Sequence, residues 1–197
     1  MAANKDLEQQ YGRAMEEHGF LPDPENQRYG SMGLCWRHTS QQGGGFFCTG
    51  WQQDLYTIKI HDFFFHEDQL LEFHWPESLS VTWYESISGE EFSPCRRLVP
   101  GCVKSFIGGR EPYRALIHRQ IPIVSIGVEI TPAYYRDYLR RQFPQEYQSL
   151  LESFQTLDQT EHFPEMVQLL KQVRDYRGEG LPARLFYDGK VAEAVLF

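Results

Sequence analysis

The sequence predicts a mainly β protein: a jelly-roll or closed antiparallel β-barrel followed by a C-terminal helical segment. Three observations predict it. Between Phe46 and Ile130, short β-prone runs recur between turn residues at the roughly 8–12-residue spacing of sandwiches and barrels. No helical period long enough for a crossover interrupts them, so neighbouring strands are expected to pair antiparallel. After Thr131-Pro132 the apolar period changes from that of a strand to that of a helix.

The chain has 197 residues, enough to bury a core without a disulfide or metal staple. Apolar residues at 41% and aromatic residues at 15% argue against disorder, and 16 Gly and 11 Pro argue for many turns. The formal net charge of −8 has the wrong sign for a surface that neutralises phosphates, so these residues are not expected to bind nucleic acid directly. Residues 4–10 are polar and lack the apolar core of a signal peptide, and no apolar run nears the ~18 residues of a membrane span. A cytoplasmic protein with no membrane partner is the expectation.

In chain order, Leu7, Tyr11 and Ala14/Met15 share one helical face, which predicts a helix from about Asp6 to His18, ended by Gly19. Leu21 to Gly45 reads as loop, broken by Pro22, Pro24, Gly30, Gly33 and the triplet Gly43-Gly44-Gly45. Strands are expected at Phe46 to Cys48, Leu55 to Phe65, Leu70 to His74, Leu79 to Ser86, Val103 to Ile107, Tyr113 to His118 and Ile121 to Ile130. In two of them the alternation is explicit: Tyr56, Ile58 and Ile60 against Thr57 and Lys59, and Leu79, Val81 and Trp83 against Ser80, Thr82 and Tyr84. Ser86 to Glu91 reads as a hairpin turn with solvated Glu90 and Glu91, and Gly108 to Glu111 as another turn.

Thr131 and Pro132 suit the start of a helix that Pro144 ends. A second helix carries Tyr147, Leu150, Leu151 and Phe154. A third begins at Pro164 and carries Met166, Leu169, Leu170 and Val173. A fourth, from Pro182, carries Leu185, Gly189, Ala192 and Leu196. It stays apolar to Phe197 without a cap, so the period is expected to be cut there. A compact barrel offers limited surface to cover both of the last two stripes. Met166, Leu169, Leu170, Val173, Leu185, Gly189 and Ala192 are therefore expected to form a homodimer interface, Gly189 and Ala192 allowing close helix approach, the alternative being that they pack on the barrel or on each other within one subunit.

Cys35, Cys48, Cys95 and Cys102 lie far apart in the sequence and read as reduced, partly buried thiols. Cys35-x-x-His38 followed by Cys48 would need a fourth ligand to hold a metal. His61, His66, His74 and His118 show no His-x-His pairing with a following Glu, and Gly-x-Ser-x-Gly is absent, so no metal, cofactor or catalytic site is expected. The aromatic density around the strands suits either core filling or the wall of a ligand cup. Trp83, Tyr113, His118 and Glu129 are the candidate lining residues, Trp83 pointing inward if Leu79 and Val81 do.

Leu79 to Tyr138 and Pro164 to Glu193 resemble the N-terminal regions of AraC-family bacterial transcription regulators. The resemblance is carried by Ser86 to Phe92 (SISGEEF), Arg97 to Cys102 (RLVPGC), Tyr113 to His118 (YRALIH) and Thr131 to Tyr135 (TPAYY). It is also carried by Ala183 to Glu193, which is similar to the linker helix preceding that family's paired helix-turn-helix units. It implies a cupin-like effector-binding barrel over residues 1–130 and a dimerising, linking helical region over 131–197. It also implies a small-molecule effector, and a DNA-binding domain beyond Phe197 through which alone DNA would be contacted. The alternatives are a cupin-fold metal-dependent isomerase or dioxygenase, and a stand-alone effector-binding or anti-activator protein.

Overall fold

The computed structural model describes residues 11–29, 32–39, 41–52, 54–93, 95–145 and 163–197. Helix α1 covers 11–17. The strands are β1 (Phe20–Pro22), β2 (Gly33–His38), β3 (Gly43–Gln52), β4 (Tyr56–Phe65), β5 (Gln69–Phe73), β6 (Leu79–Ser86), β7 (Gly89–Phe92), β8 (Cys95–Leu98), β9 (Val103–Ile107), β10 (Tyr113–Ile117) and β11 (Ile123–Ile130). A π-helical segment (Ala133–Leu139) running into a helical turn (Arg140–Gln142) makes α2; α3 is Pro164–Asp175 and α4 is Gly180–Leu196. The expected helix carrying Tyr147 to Phe154 lies outside the described residues.

Strand pairing is antiparallel and nested. β7 pairs with β8, β6 with β9, β5 with β10 and β4 with β11, as in one long hairpin. The hairpin is folded so that its layers fall into two sheets. One has seven strands in the order β1-β2-β3-β4-β11-β6-β9, and the other has four in the order β5-β10-β7-β8. This nesting is the connectivity of a double-sheet jelly roll. The fold is thus mainly β in two sheets, with helices after the last strand.

Two sequence expectations are corrected here. The segment Leu21 to Gly45 is not a loop throughout, since it holds β1, β2 and the start of β3. The glycine triplet belongs to β3 because it lies against Phe63, Phe64 and Phe65 of β4. At Gly45 the backbone has φ +100°, and a Cβ would stand 2.1 Å from the Asp62 carbonyl oxygen, so no other residue fits that pairing without strain. The segment Ser86 to Glu91 is not a turn with solvated charges either. Gly89–Phe92 is strand β7, and although Glu90 is exposed, Glu91 is 3% exposed.

The larger sheet is sandwiched on both faces. Its outer face carries Ile58, Ile60, Leu79, Val81, Trp83, Ile126, Val128 and Ile130, which pack with Met166, Leu169, Leu170 and Val173 of α3 and Ala183, Tyr187, Val191 and Ala194 of α4. Its inner face meets the smaller sheet across a second core that includes Trp36, Phe47, Phe63, Phe65, Leu71, Ala115, Ile117 and Ile123, with Tyr11 and Met15 of α1. Burial of each large side chain contributes roughly 1.5–3 kcal/mol, which holds α3 and α4 to the sheet.

The expected dimer interface divides accordingly. Met166, Leu169, Leu170 and Val173 are buried within the single chain and are not offered to a partner. The physical reason is that the outer face of the sheet is itself apolar and needs covering. Leu185, Gly189, Ala192 and Leu196 lie on the other side of α4, where Leu185 is 64% and Leu196 86% exposed.

The cysteines also differ from expectation. Cys35 and Cys48 stand directly opposite each other on β2 and β3, with Cα atoms 4.1 Å apart, and are joined by a disulfide. Cys95 and Cys102 are free. A pairing fixed by strand register is invisible in the 13-residue separation of the two positions. It also removes Cys35 and Cys48 as metal ligands beside His38.

Candidate ligand-binding cavity

Between the sheets is a cavity of about 130 Å³. Its floor is the inner face of the larger sheet, and strand register assembles it in rows. Lys59, Gly127, Thr82 and Lys104 are mutual cross-strand neighbours on β4, β11, β6 and β9. On one side runs Thr57, Glu129, Ser80 and Phe106; on the other run His61, Ser125 and Tyr84. Gly127 leaves the middle of the floor open, since a Cβ there would meet Thr82 Oγ1 at 2.5 Å. The opposite wall is apolar and aromatic, formed by Leu71, Phe73, Trp75, Ile87, Tyr113 and Ile117, with Met15 from α1 and His18 just after it also bordering the space.

The floor is charged. Lys59 Nζ donates to Glu129 Oε2 at 2.6 Å and lies 4.9 Å from the centre of the Trp75 ring. Glu129 also accepts from the Tyr11 hydroxyl at 3.2 Å, so α1 is tied to the floor by a buried hydrogen bond. Burial and the Glu129 charge push the Tyr11 hydroxyl well above its ordinary pKa, keeping it a donor. Lys104 is ion-paired with Glu91 of the opposite sheet and lies 4.7 Å from the centre of the Tyr113 ring. Arg96 completes that group at 3.4 Å from Glu91. His61 is hydrogen-bonded to Ser125 Oγ at 2.9 Å through Nδ1. Burial, with the Lys59 charge adding to it, lowers its pKa to about 3, so the ring is neutral at physiological pH.

Of the four candidate lining residues, the structure places Tyr113 on the cavity wall. Glu129 is on the inner face, but its carboxylate is held by Lys59 and Tyr11 behind the cavity surface. Trp83 is corrected. It does share a face with Leu79 and Val81, but that face lies outward under α3, with Lys171 Nζ 4.9 Å from the Trp83 ring centre. Tyr84, one residue on, faces the cavity. His118 is corrected as well, because Tyr113, Ala115 and Ile117 point between the sheets while His118 lies past the strand end, hydrogen-bonded to Ser88 Oγ at 2.8 Å.

Sequence reasoning missed Lys59, Lys104, Glu91, Thr82 and Tyr84. For the four on expected strands the signal was the other phase of the alternation, which in a half-buried strand marks solvent, while Glu91 was hidden in an expected turn. Among the described residues no three His, Cys, Asp or Glu side chains gather as a metal ion would need. No described helix is long and apolar enough to cross a membrane.

No protein-family model matches the chain, and no curated protein does. Among solved structures it is similar to a sugar phosphate isomerase from a cupin superfamily, from Silicibacter pomeroyi, at 12% identity and TM-score 0.31, over 43% of this chain and 59% of that one. KdgF from Halomonas sp. is similar at 12% identity and TM-score 0.31, over 58% of this chain and 87% of that one. Vicilin from hazelnut, Corylus avellana, is similar at 10% identity and TM-score 0.36, over 72% of this chain and 50% of that one. The chain thus spans less than two thirds of the isomerase and of the vicilin. The jelly-roll assignment rests on this chain's own strand pairing.

Proposed function

We propose that the chain is the effector-binding module of an AraC-type transcription regulator, taking a small molecule between its sheets without chemically altering it. The observation that carries the reading is the cavity, which sets Lys59, Thr82 and Lys104 of the larger sheet against an aromatic opposite wall. The acidic net charge supports contact with DNA through a separate domain. The exposed α4 stripe of Leu185, Gly189, Ala192 and Leu196 supports pairing with a second copy.

A route from ligand to helices is built into the larger sheet, since Tyr84 borders the cavity while Trp83, its neighbour in sequence, packs under α3. A ligand that binds one arrangement of this sheet better than another shifts the helices with it. The test is a thermal-shift screen of the purified chain against sugars, siderophores, bile acids and aromatic metabolites, followed by recovery of any hit. A raised melting temperature with the compound recovered unchanged is expected. A compound recovered chemically altered, or stoichiometric zinc, iron or manganese in the purified protein, would turn the reading to a cupin-fold enzyme.

A further inference from the structure

Resting on the ligand-binding reading above, we infer that the cavity takes a monocyclic aromatic carboxylate, its acid group held by Lys59 and Lys104 and its ring set against the aromatic wall. Size comes first. A cavity of about 130 Å³ is close to the ~150 Å³ void that holds a benzene in a protein core, so the space fits one ring and a small substituent.

Charge comes second. Lys59 and Lys104 both border the space, whereas their carboxylate partners Glu129 and Glu91 do not. Each carboxylate already has a second partner, Tyr11 for Glu129 and Arg96 for Glu91. Ammonium groups carry three donors each, so both can keep their carboxylate and still serve a ligand oxygen. Buried ion pairs are poor stabilisers, because desolvation offsets most of the attraction, and apolar residues fill such positions at no loss. Two such pairs on the wall of one cavity therefore point to a ligand's charge as their use.

Shape comes third. Lys59 and Lys104 end one cross-strand row whose middle is Gly127 and Thr82, so open floor lies between the two cations. A hydrated inorganic anion would leave the rings of Phe73, Trp75 and Tyr113 without contact.

The test is isothermal titration of the intact chain with benzoate, benzamide and benzyl alcohol at neutral pH, in low and high salt. Benzoate is expected to bind roughly tenfold or more tighter than the two neutral rings, as a charge-assisted hydrogen bond in a dry site implies. Lys59→Met/Glu129→Gln removes one charge pair and leaves a Gln oxygen to accept from Tyr11, Lys104→Met/Glu91→Gln removes the other and leaves Arg96 a neutral acceptor, and each is expected to erase most of that preference. Should either variant fail to fold, the wild-type comparison still decides. Benzamide or benzyl alcohol binding as well as benzoate would overturn the anion inference while leaving the ligand-binding reading intact. Failure of all three to bind would also overturn it, and a hit from another class in the broader screen would then show that the ligand-binding reading survives on its own.

Discussion

His61 lies on the cavity floor with Ser125 as its hydrogen-bond partner, and its burial has a consequence for stability. In the unfolded chain the ring takes up a proton below about 6.5, whereas in the folded chain it does so only near 3. Between those values the unfolded state binds more protons, so stability is full above the upper value and falls as pH drops through the window. The loss by pH 4 is on the order of 2–3 kcal/mol, allowing for the ring's partial exposure. Urea unfolding at pH 7 and pH 4.5 should show His61→Gln losing less stability than wild type over that interval. Equal losses in the two proteins would remove His61 as the cause. The same side chain shows how local the functional reading is, because its neighbours Ile60 and Asp62 face away from the cavity and His61 alone of the three borders it.

At the scale of elements, β2 and β3 are linked covalently where register sets Cys35 against Cys48. Under non-reducing denaturing conditions, thiol titration should therefore find two reactive cysteines, Cys95 and Cys102. Four would disprove the link. Closing a loop of this length stabilises by roughly 2–3 kcal/mol, so reduction should lower the denaturation midpoint by a corresponding amount. Helix α3 acts as a core element. Leu170 is fully buried between it and the sheet, and Leu170→Ala is expected to cost about 2–5 kcal/mol in unfolding experiments. A cost below about 1 kcal/mol would mean that α3 does not pack on the sheet in this way.

At the scale of the whole molecule, the larger sheet separates two environments, a helix-covered apolar face and a cavity face that mixes Lys59, Thr82 and Lys104 with Phe47, Phe63 and Phe65. The exposed stripe on α4 gives the corresponding assembly prediction. Leu185→Glu should leave the melting temperature nearly unchanged, because the side chain is 64% exposed, while shifting a dimer to monomer in sedimentation velocity. A wild-type chain that sediments as a monomer at high concentration would rule out that interface for these residues.

Sequence periodicity by itself determined much of the framework. It placed the strands Leu79–Ser86 and Val103–Ile107, the antiparallel class, the helix opening at Pro164 and the apolar set of Met166, Leu169, Leu170 and Val173. Each of these follows from local periods of two or of about 3.6, which neighbouring residues carry among themselves. Only the tertiary structure decided which face of each strand is the inside. Alternation separates Leu79, Val81 and Trp83 from Ser80, Thr82 and Tyr84 but does not say what covers either set. Helices from more than eighty residues downstream took the apolar one, which left the polar one to form the cavity. Lys59 and Lys104, and likewise Cys35 and Cys48, are brought into relation by register across strands, and register is a property of pairing that no single strand's residues encode.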